Sequence, residues 1–402
     1  MIYLFALFLI LLGVYNYDYR GLKHGRAVWL AVIYIILVCI AGFRYRIGGD
    51  TIQYMHYYDM VHPLGELNVI DFQKTRYAPG FIIFASICKS ISPDFTLVQF
   101  LVAAFLNFAV LFFFTKNSRH PFFGVLLYYF FMYVTLNMEV MRESIAVAIF
   151  LLSWHYLKER KLLKYYLCAI LAIFFHISAL ILLFIPLVFL PGIRNFFYFG
   201  MRTIFIVLGV LIVGFAIRYY LFDLIQIISI NEKMTELAHK YAGNDLGGLK
   251  TLNIFGAFNT LFIYVAYPCV AIFFLKSSNK RQYNLEESLS VISIYVSLLS
   301  VSVIIIGRFN NYFMFFSYLI LSDWIFSQLK FRNKKVKLNF GNWTLIFLPL
   351  FLFSIYSVYF SNVNRDGTLQ TYMKYYPYNT IFDREMNPDR EKVFRYNINR
   401  GF

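Results

Sequence analysis

The sequence predicts an all-α, polytopic membrane protein, and three observations carry that prediction. Of its 402 residues, 60% are hydrophobic and only 14% are charged, with a mean hydropathy of +0.62. A soluble domain carries roughly a quarter charged residues. Long apolar runs recur from end to end, each continuous rather than alternating, which fits helices and not barrel strands. About half of the 37 Lys and Arg residues collect in a few short connections, the sorting that the positive-inside bias produces. The expectation is about 11–14 transmembrane helices, some short or re-entrant. They form one integral-membrane domain over residues 1–361, followed by a polar, aromatic tail over 362–402.

In chain order, spans are expected near residues 2–17, 27–43, 96–114, 122–138 and 143–157, then 203–222, 252–275, 288–306, 309–328 and 343–361. The first run lacks a basic flank and a small-residue cleavage site, so it reads as a retained helix. The stretch 79–91 is apolar but too short to cross about 30 Å of hydrocarbon, and reads as re-entrant or interfacial. The stretch 164–190 is too long for one straight span and carries His176-Ile177-Ser178 in its middle. It reads as a short helical hairpin or broken helix, a form allowed where the backbone is buried or lines a wet cavity. No period of 20–50 residues marks a repeat array.

The basic connections set the orientation. Arg20, Lys23 and Arg26, then Lys116 and Arg119, then Lys158, Arg160, Lys161 and Lys164 fall on one side if 79–91 does not cross. Arg194, Arg202, Lys276, Lys280 and Arg281 continue the series if 164–190 crosses twice, as does the group from Lys330 to Lys337. That side is assigned to the cytoplasm. The N-terminus, the loop 44–94, the segment 223–250 and the tail then lie outside.

This sorting also accounts for the net charge of +16, so nucleic acid is not an expected partner. Cys39, Cys88, Cys168 and Cys269 lie in or beside apolar runs with no CxxC pairing, which argues against a disulfide framework or a metal site. The 33 Tyr and 47 Phe suit interfacial belts and packing against lipid first, and aromatic-walled cavities second.

Polar residues at membrane depth are costly and point to function. Arg44 and Arg46 flank Tyr45 at the outer end of the second span, and Gly48-Gly49-Asp50 permits a tight turn there. The plain alternative for either arginine is snorkelling to lipid phosphate. Asp50 is a turn former, or a carboxylate paired with one of those arginines. Arg76-Tyr77 opens the next apolar stretch. Glu139, Arg142 and Glu143 sit between two spans with almost no loop, where an intrahelical ion pair is available and an inward-facing Arg142 is the functional reading. His176 is either a satisfied structural residue or a general base. Arg308, Asn310 and Tyr312 form the tight turn of a hairpin, and Tyr378 belongs to an aromatic Tyr-Pro-Tyr-Asn element in the tail. On the orientation set by the basic loops, all of these gather at the outer face. Several arginines converging on one surface suit the oxygens of a lipid-linked pyrophosphate.

These elements resemble the EpsG family, a branch of the Wzy-type polymerases of bacterial surface polysaccharides. The matching elements are Phe-Arg-Tyr…Gly-x-Asp-x-x-x-Tyr at 43–54, Arg-Tyr-x-Pro-Gly-Phe at 76–81 and the helix start Arg142-x-x-x-Ala146. Phe175-His176-x-Ser178-Ala179-Leu180, Gly-Arg-Phe…Tyr-Phe at 307–313 and the terminal Pro-Tyr-Asn complete the set. The chain departs from the family at Tyr77-Ala78, where Glu or Gln is usual.

The resemblance implies a GT-C-like glycosyltransferase of the bacterial inner membrane. It would polymerise oligosaccharide repeat units carried on undecaprenyl pyrophosphate at the outer face, yielding capsule, exopolysaccharide or O-antigen. It implies no cofactor and no metal, with a chain-length regulator as a partner beside membrane lipid. His176 and Asp50 are then the candidate bases, and Arg142 and Arg308 act on the leaving pyrophosphate. Arg44, Arg46, Tyr54, Arg76, Tyr77, Glu139, Asn310, Tyr312 and Tyr378 contact substrate, and the segment 223–250 meets the acceptor sugar. The competing readings are an O-antigen ligase, for which 223–250 is short, and a lipid-linked oligosaccharide transporter, which would need charges through mid-depth.

Overall fold

The structure is a computed structural model. It describes residues 1–73, 75, 77–196, 285–302, 304–331 and 367–398, together with the isolated positions 206, 209, 210, 213, 269, 356, 359, 360 and 363. Its described elements are all helical, and an isolated antiparallel bridge joins Arg44 and Thr380. The expected spans at 252–275 and 343–361, nearly all of 203–222, the segment 223–250, Arg76 and the basic groups at 202, 276–281 and 332–337 lie outside the described residues. The chain divides into two compact units, residues 1–186 with 371–394, and residues 187–370 with 395–402.

In the first unit α1 (Ile2–Gly13) runs on into a π-helical turn (Val14–Tyr19) and is followed by α2 (Arg26–Gly42), α3 (Thr51–Met60) and the short α4 (Val69–Gln73). Next come α5 (Pro79–Ile91), α6 (Thr96–Asn117), α7 (Pro121–Phe131), α8 (Met141–Lys158) and α9 (Leu162–Phe175). Helix α6 has 22 residues without a glycine or proline, about 33 Å at 1.5 Å per residue. By length and composition, Ile2–Tyr19 and Thr96–Asn117 are the two described helices long and apolar enough to cross a bilayer.

Helix α5 is as short as the sequence reading has it. Its 13 residues reach only about 20 Å, and both its ends lie near one end of the bundle. At its start, Gly80 packs so closely on Phe174 that a Cβ would stand 2.7 Å from the Phe174 carbonyl oxygen. At its finish, the Tyr58 hydroxyl donates to the Ser92 carbonyl at 2.7 Å.

The stretch 164–190 is broken where the sequence placed the break. Helix α9 ends at Phe175, His176 takes an extended conformation, and 3₁₀ turns continue over Ile177–Phe189. The Tyr165 hydroxyl donates to the Leu182 carbonyl at 2.8 Å, which folds the second half back along α9 as a hairpin.

The expected span 122–138 differs in detail. Helix α7 stops at Phe131, and a π-helical turn over Thr135–Glu139 leads into α8. A closed ring of buried polar side chains fixes this turn. Asn107 donates to Asn137 at 2.8 Å, Asn137 to the Tyr128 hydroxyl at 2.7 Å, and Tyr128 back to Asn107 at 3.1 Å. Each member is satisfied inside an apolar surround, where one left unpaired costs on the order of 1–3 kcal/mol.

The two ends of this bundle differ in chemistry. The basic connections at 20–26, 116–119 and 158–164 share one end, where Asp18 accepts from the Phe123 amide and Lys158 reaches Asn117. The loop 43–50, both ends of α5, the first turn of α8 and His176 share the other.

In the second unit α10 (Pro191–Phe196) is followed by the hairpin of α11 (Leu285–Ser302) and α12 (Asn310–Phe331), joined by 3₁₀ turns over Ile304–Phe309. Ser290 meets Ser317 across the hairpin at 2.9 Å. The tail returns to the first unit, where α13 (Pro388–Ile398) begins.

Candidate active site

The loop after α2 is shaped by two left-handed residues, Arg46 at φ 54° and Gly48 at φ 108°. Gly48 lies directly on the Met138 carbonyl, so a Cβ there would collide with that oxygen. Gly48→Ala is therefore expected to cost about 3 kcal/mol or more, from overpacking added to a strained φ. A lowered melting temperature and reduced yield of monodisperse protein would report it.

The tail seals the same loop. Tyr45 donates its amide to the Asn379 carbonyl at 2.9 Å, Ile381 donates to the Phe43 carbonyl at 3.0 Å, and Gly48 donates to the Lys374 carbonyl at 3.2 Å. Arg390, itself buried, fastens the tail by donating to Asn379 Oδ1 at 3.1 Å and to the Pro377 carbonyl.

This sealing changes what several expected substrate contacts do. Arg44 is 0% exposed; its guanidinium donates to the Ala41 carbonyl, to the Ile47 carbonyl at 3.0 Å and to Met141 Sδ at 3.5 Å. It binds the end of α2 to its own loop rather than facing a ligand. Arg46 forms a two-pronged pair with Glu391, both contacts 2.8 Å, and this carboxylate raises its pKa above the ordinary arginine value. Glu139 accepts from Tyr375 and lies 3.7 Å from Lys374 Nζ, in place of the intrahelical pair with Arg142. The Tyr378 hydroxyl donates to the Ile40 carbonyl at 2.8 Å. In the second unit Asn310 is buried, donating to Ser297 at 2.7 Å and accepting from Ser293 at 3.1 Å. Tyr312 is buried too, whereas Arg308 is exposed on the 3₁₀ turns.

Two clusters remain open to chemistry, both rooted in the first turn of α8. The first is aromatic and cationic. The Arg142 guanidinium sits 4.3 Å from the centroid of the Tyr77 ring and 5.8 Å from that of Tyr54. Its Nε donates to the Tyr54 hydroxyl at 3.3 Å. Burial raises the Tyr54 pKa to about 12 although Arg142 opposes the shift, so the phenol is neutral and acts as an acceptor. Among the described residues Arg142 makes no ion pair, and its terminal nitrogens point to no acceptor. Asp50 begins α3, half-buried one turn from Tyr54.

The second cluster is a relay. His176 Nδ1 lies 2.6 Å from Ser178 Oγ, which donates to Glu143 Oε1 at 3.3 Å. All three are buried, at 8%, 8% and 1% exposure. The sequence places no carboxylate beside His176; the hairpin of α8 and α9 supplies Glu143, 35 positions upstream of Ser178. The available signal was the spacing: Ser178 follows His176 by two residues at a helix break, and Glu143 follows Arg142 directly.

The model of the EpsG family matches residues 27–380. The chain belongs to the EpsG family. This membership places it in polysaccharide biosynthesis, and the matched stretch contains both clusters, the α11–α12 hairpin and the part of the tail that pairs with the loop after α2. No curated protein and no solved structure matches the chain.

Proposed function

We propose that this EpsG-family chain is a polytopic inner-membrane glycosyltransferase. It polymerises oligosaccharide repeat units carried on undecaprenyl pyrophosphate, working at the outer face. The observation that carries the reading is the placement of Arg142. Its guanidinium carbon lies over the Tyr77 ring, 4.3 Å from the centroid, with no carboxylate partner among the described residues, and Arg142 directly precedes Glu143 of the His176–Ser178–Glu143 relay. Stacking on an aromatic face leaves the guanidinium edge available, and that edge forms the two-pronged hydrogen bonds that phosphate oxygens accept.

Two demands of the reaction meet these two clusters. A hydroxyl oxygen of one repeat unit attacks the anomeric carbon of the growing chain. The bond from that carbon to the pyrophosphate oxygen breaks, and polyprenyl pyrophosphate departs with the electron pair. Arg142 stabilises the charge that builds on the departing oxygens. His176 Nε2 takes the proton of the attacking hydroxyl. Nδ1 then donates to Ser178 Oγ, and Ser178 donates to Glu143, so the carboxylate balances the imidazolium through one hydroxyl. The Ser178 amide also approaches Nδ1, at 3.2 Å, an arrangement suited to the other tautomer. The 2.6 Å contact and its continuation to Glu143 favour the proton on Nδ1 when the base is engaged. Asp50, one turn from Tyr54, is assigned to orient substrate.

The lipid-linked glycans of a deletion strain test the reading. A polysaccharide ladder collapsed to single repeat units on the lipid carrier is the expected result. Full-length polymer retained on its carrier would mark a ligase, and precursor trapped on the inner face would mark a transporter. Arg308→Ala, at the exposed position that the family resemblance assigns to the leaving pyrophosphate, is expected to give the same collapse as the deletion.

A further inference from the structure

A cavity lies beside the loop after α2, apart from both clusters. Its volume is about 220 Å³, and Gln99, Tyr45, Phe95, Asp59, Asp94 and Arg384 are among its walls. The sequence singled out none of its acceptors, and the two clusters leave it unused.

One of its lining residues, Gln99, carries a polar atom in need of a donor. Gln99 is 3% exposed. Its Nε2 donates to the Arg44 carbonyl at 3.1 Å, which fixes which way round the amide sits, because a carbonyl cannot accept from an oxygen. Oε1 is therefore the end left over, and it is buried with no hydrogen-bond partner.

The charges around the cavity argue against an anion. Arg384 is paired with Asp94 at 2.7 Å and Arg46 with Glu391 at 2.8 Å, while Arg44 is engaged with backbone carbonyls. Asp59 stands exposed at the mouth with no recorded partner. The cavity thus offers acceptors in surplus, the Gln99 amide oxygen and a carboxylate at the mouth, between two aromatic walls. A phosphate would meet two arginines already paired with carboxylates and a third, Arg44, whose donors are taken by Ala41, Ile47 and Met141. A neutral pyranose supplies hydroxyl donors and an apolar ring face together.

We infer that this cavity is a subsite for a neutral sugar residue of the glycan, with Gln99 Oε1 and Asp59 accepting from its hydroxyls. The inference rests on the polymerase reading for the origin of that sugar, not for the binding itself.

Saturation-transfer NMR on the full chain in detergent tests it, with methyl glucoside, methyl N-acetylglucosaminide, glucuronic acid and inorganic pyrophosphate as probes. The neutral glycosides are expected to bind, and pyrophosphate is expected not to displace them. Asp59→Asn, at an exposed position where folding is unaffected, and Gln99→Leu are each expected to weaken glycoside binding about tenfold, whereas Arg142→Ala leaves it unchanged. Binding indifferent to both Asp59→Asn and Gln99→Leu, or lost in Arg142→Ala, overturns the subsite. Glycoside binding that depends on Asp59 in a protein whose deletion leaves the polymer ladder intact upholds the subsite and removes the polymerase reading. An intact polymerase with no glycoside bound removes the subsite alone.

Discussion

Arg142→Ala is expected to stop chain extension while single repeat units still accumulate on the lipid carrier. Loss of one preorganised donor to a developing anion typically slows the chemical step about 10²–10³-fold. Arg142 is the candidate donor because its partners are aromatic faces and one neutral phenol, none of which neutralises it. Folding is expected to survive, since the side chain is half-buried at the start of α8 and alanine favours helix. Arg142→Lys is expected to recover only part of the activity, because an ammonium can neither fork to two oxygens nor stack on Tyr77. Tyr54→Phe removes the 3.3 Å contact but keeps the ring, so its effect should be several-fold at most. The measurement is extension of a purified lipid-linked oligosaccharide by reconstituted protein. Wild-type rates in Arg142→Ala would remove this arginine from the site.

The all-helical class, the short α5 and the break at His176 were legible because each is a local property. Apolar run length decides whether a helix spans, and a polar residue inside a long run marks where it bends. The gathering of polar residues in the first unit at the end opposite its basic turns was legible for the same reason, since both sorts of loop are named by their own residues.

The partners of those residues were not legible. Arg44 and Arg46 look alike in sequence, yet one is sealed beneath its own loop and the other meets Glu391, 345 positions away. Glu139 seemed placed for Arg142 three residues on, but the tail brings Lys374 and Tyr375 to it. For Arg46 and Glu139 a contact with the tail took the place of the neighbour that spacing offered, whereas Arg44 turned back on carbonyls three residues to either side. Arg142 remains available as a consequence: the tail takes Glu139, and Ser178 takes Glu143, which removes both carboxylates nearest to it in sequence.

His176→Ala is expected to lower turnover by about 10²–10⁴-fold with binding of the lipid-linked substrate retained, the range for removing a general base. The relay makes this claim separable from a structural role for a buried histidine. If Nδ1–H is held by Ser178 and, through it, by Glu143, then Ser178→Ala and Glu143→Gln should each reduce turnover by less than His176→Ala. In a His176→Ala background either change should add almost nothing, since groups that act through one another are strongly non-additive. Glu143→Gln preserves shape and removes charge, so it should also lower the pH at which the base becomes protonated, moving the acid limb of the rate profile to lower pH. The sign follows from linkage: an anion near an imidazolium favours the charged form and raises its pKa, and its neutralisation reverses that. A purely structural His176 would instead give lowered thermal stability, additive losses and an unmoved acid limb. That outcome would pass the role of base to Asp50, the other candidate base read from the sequence, one turn from Tyr54 at the start of α3.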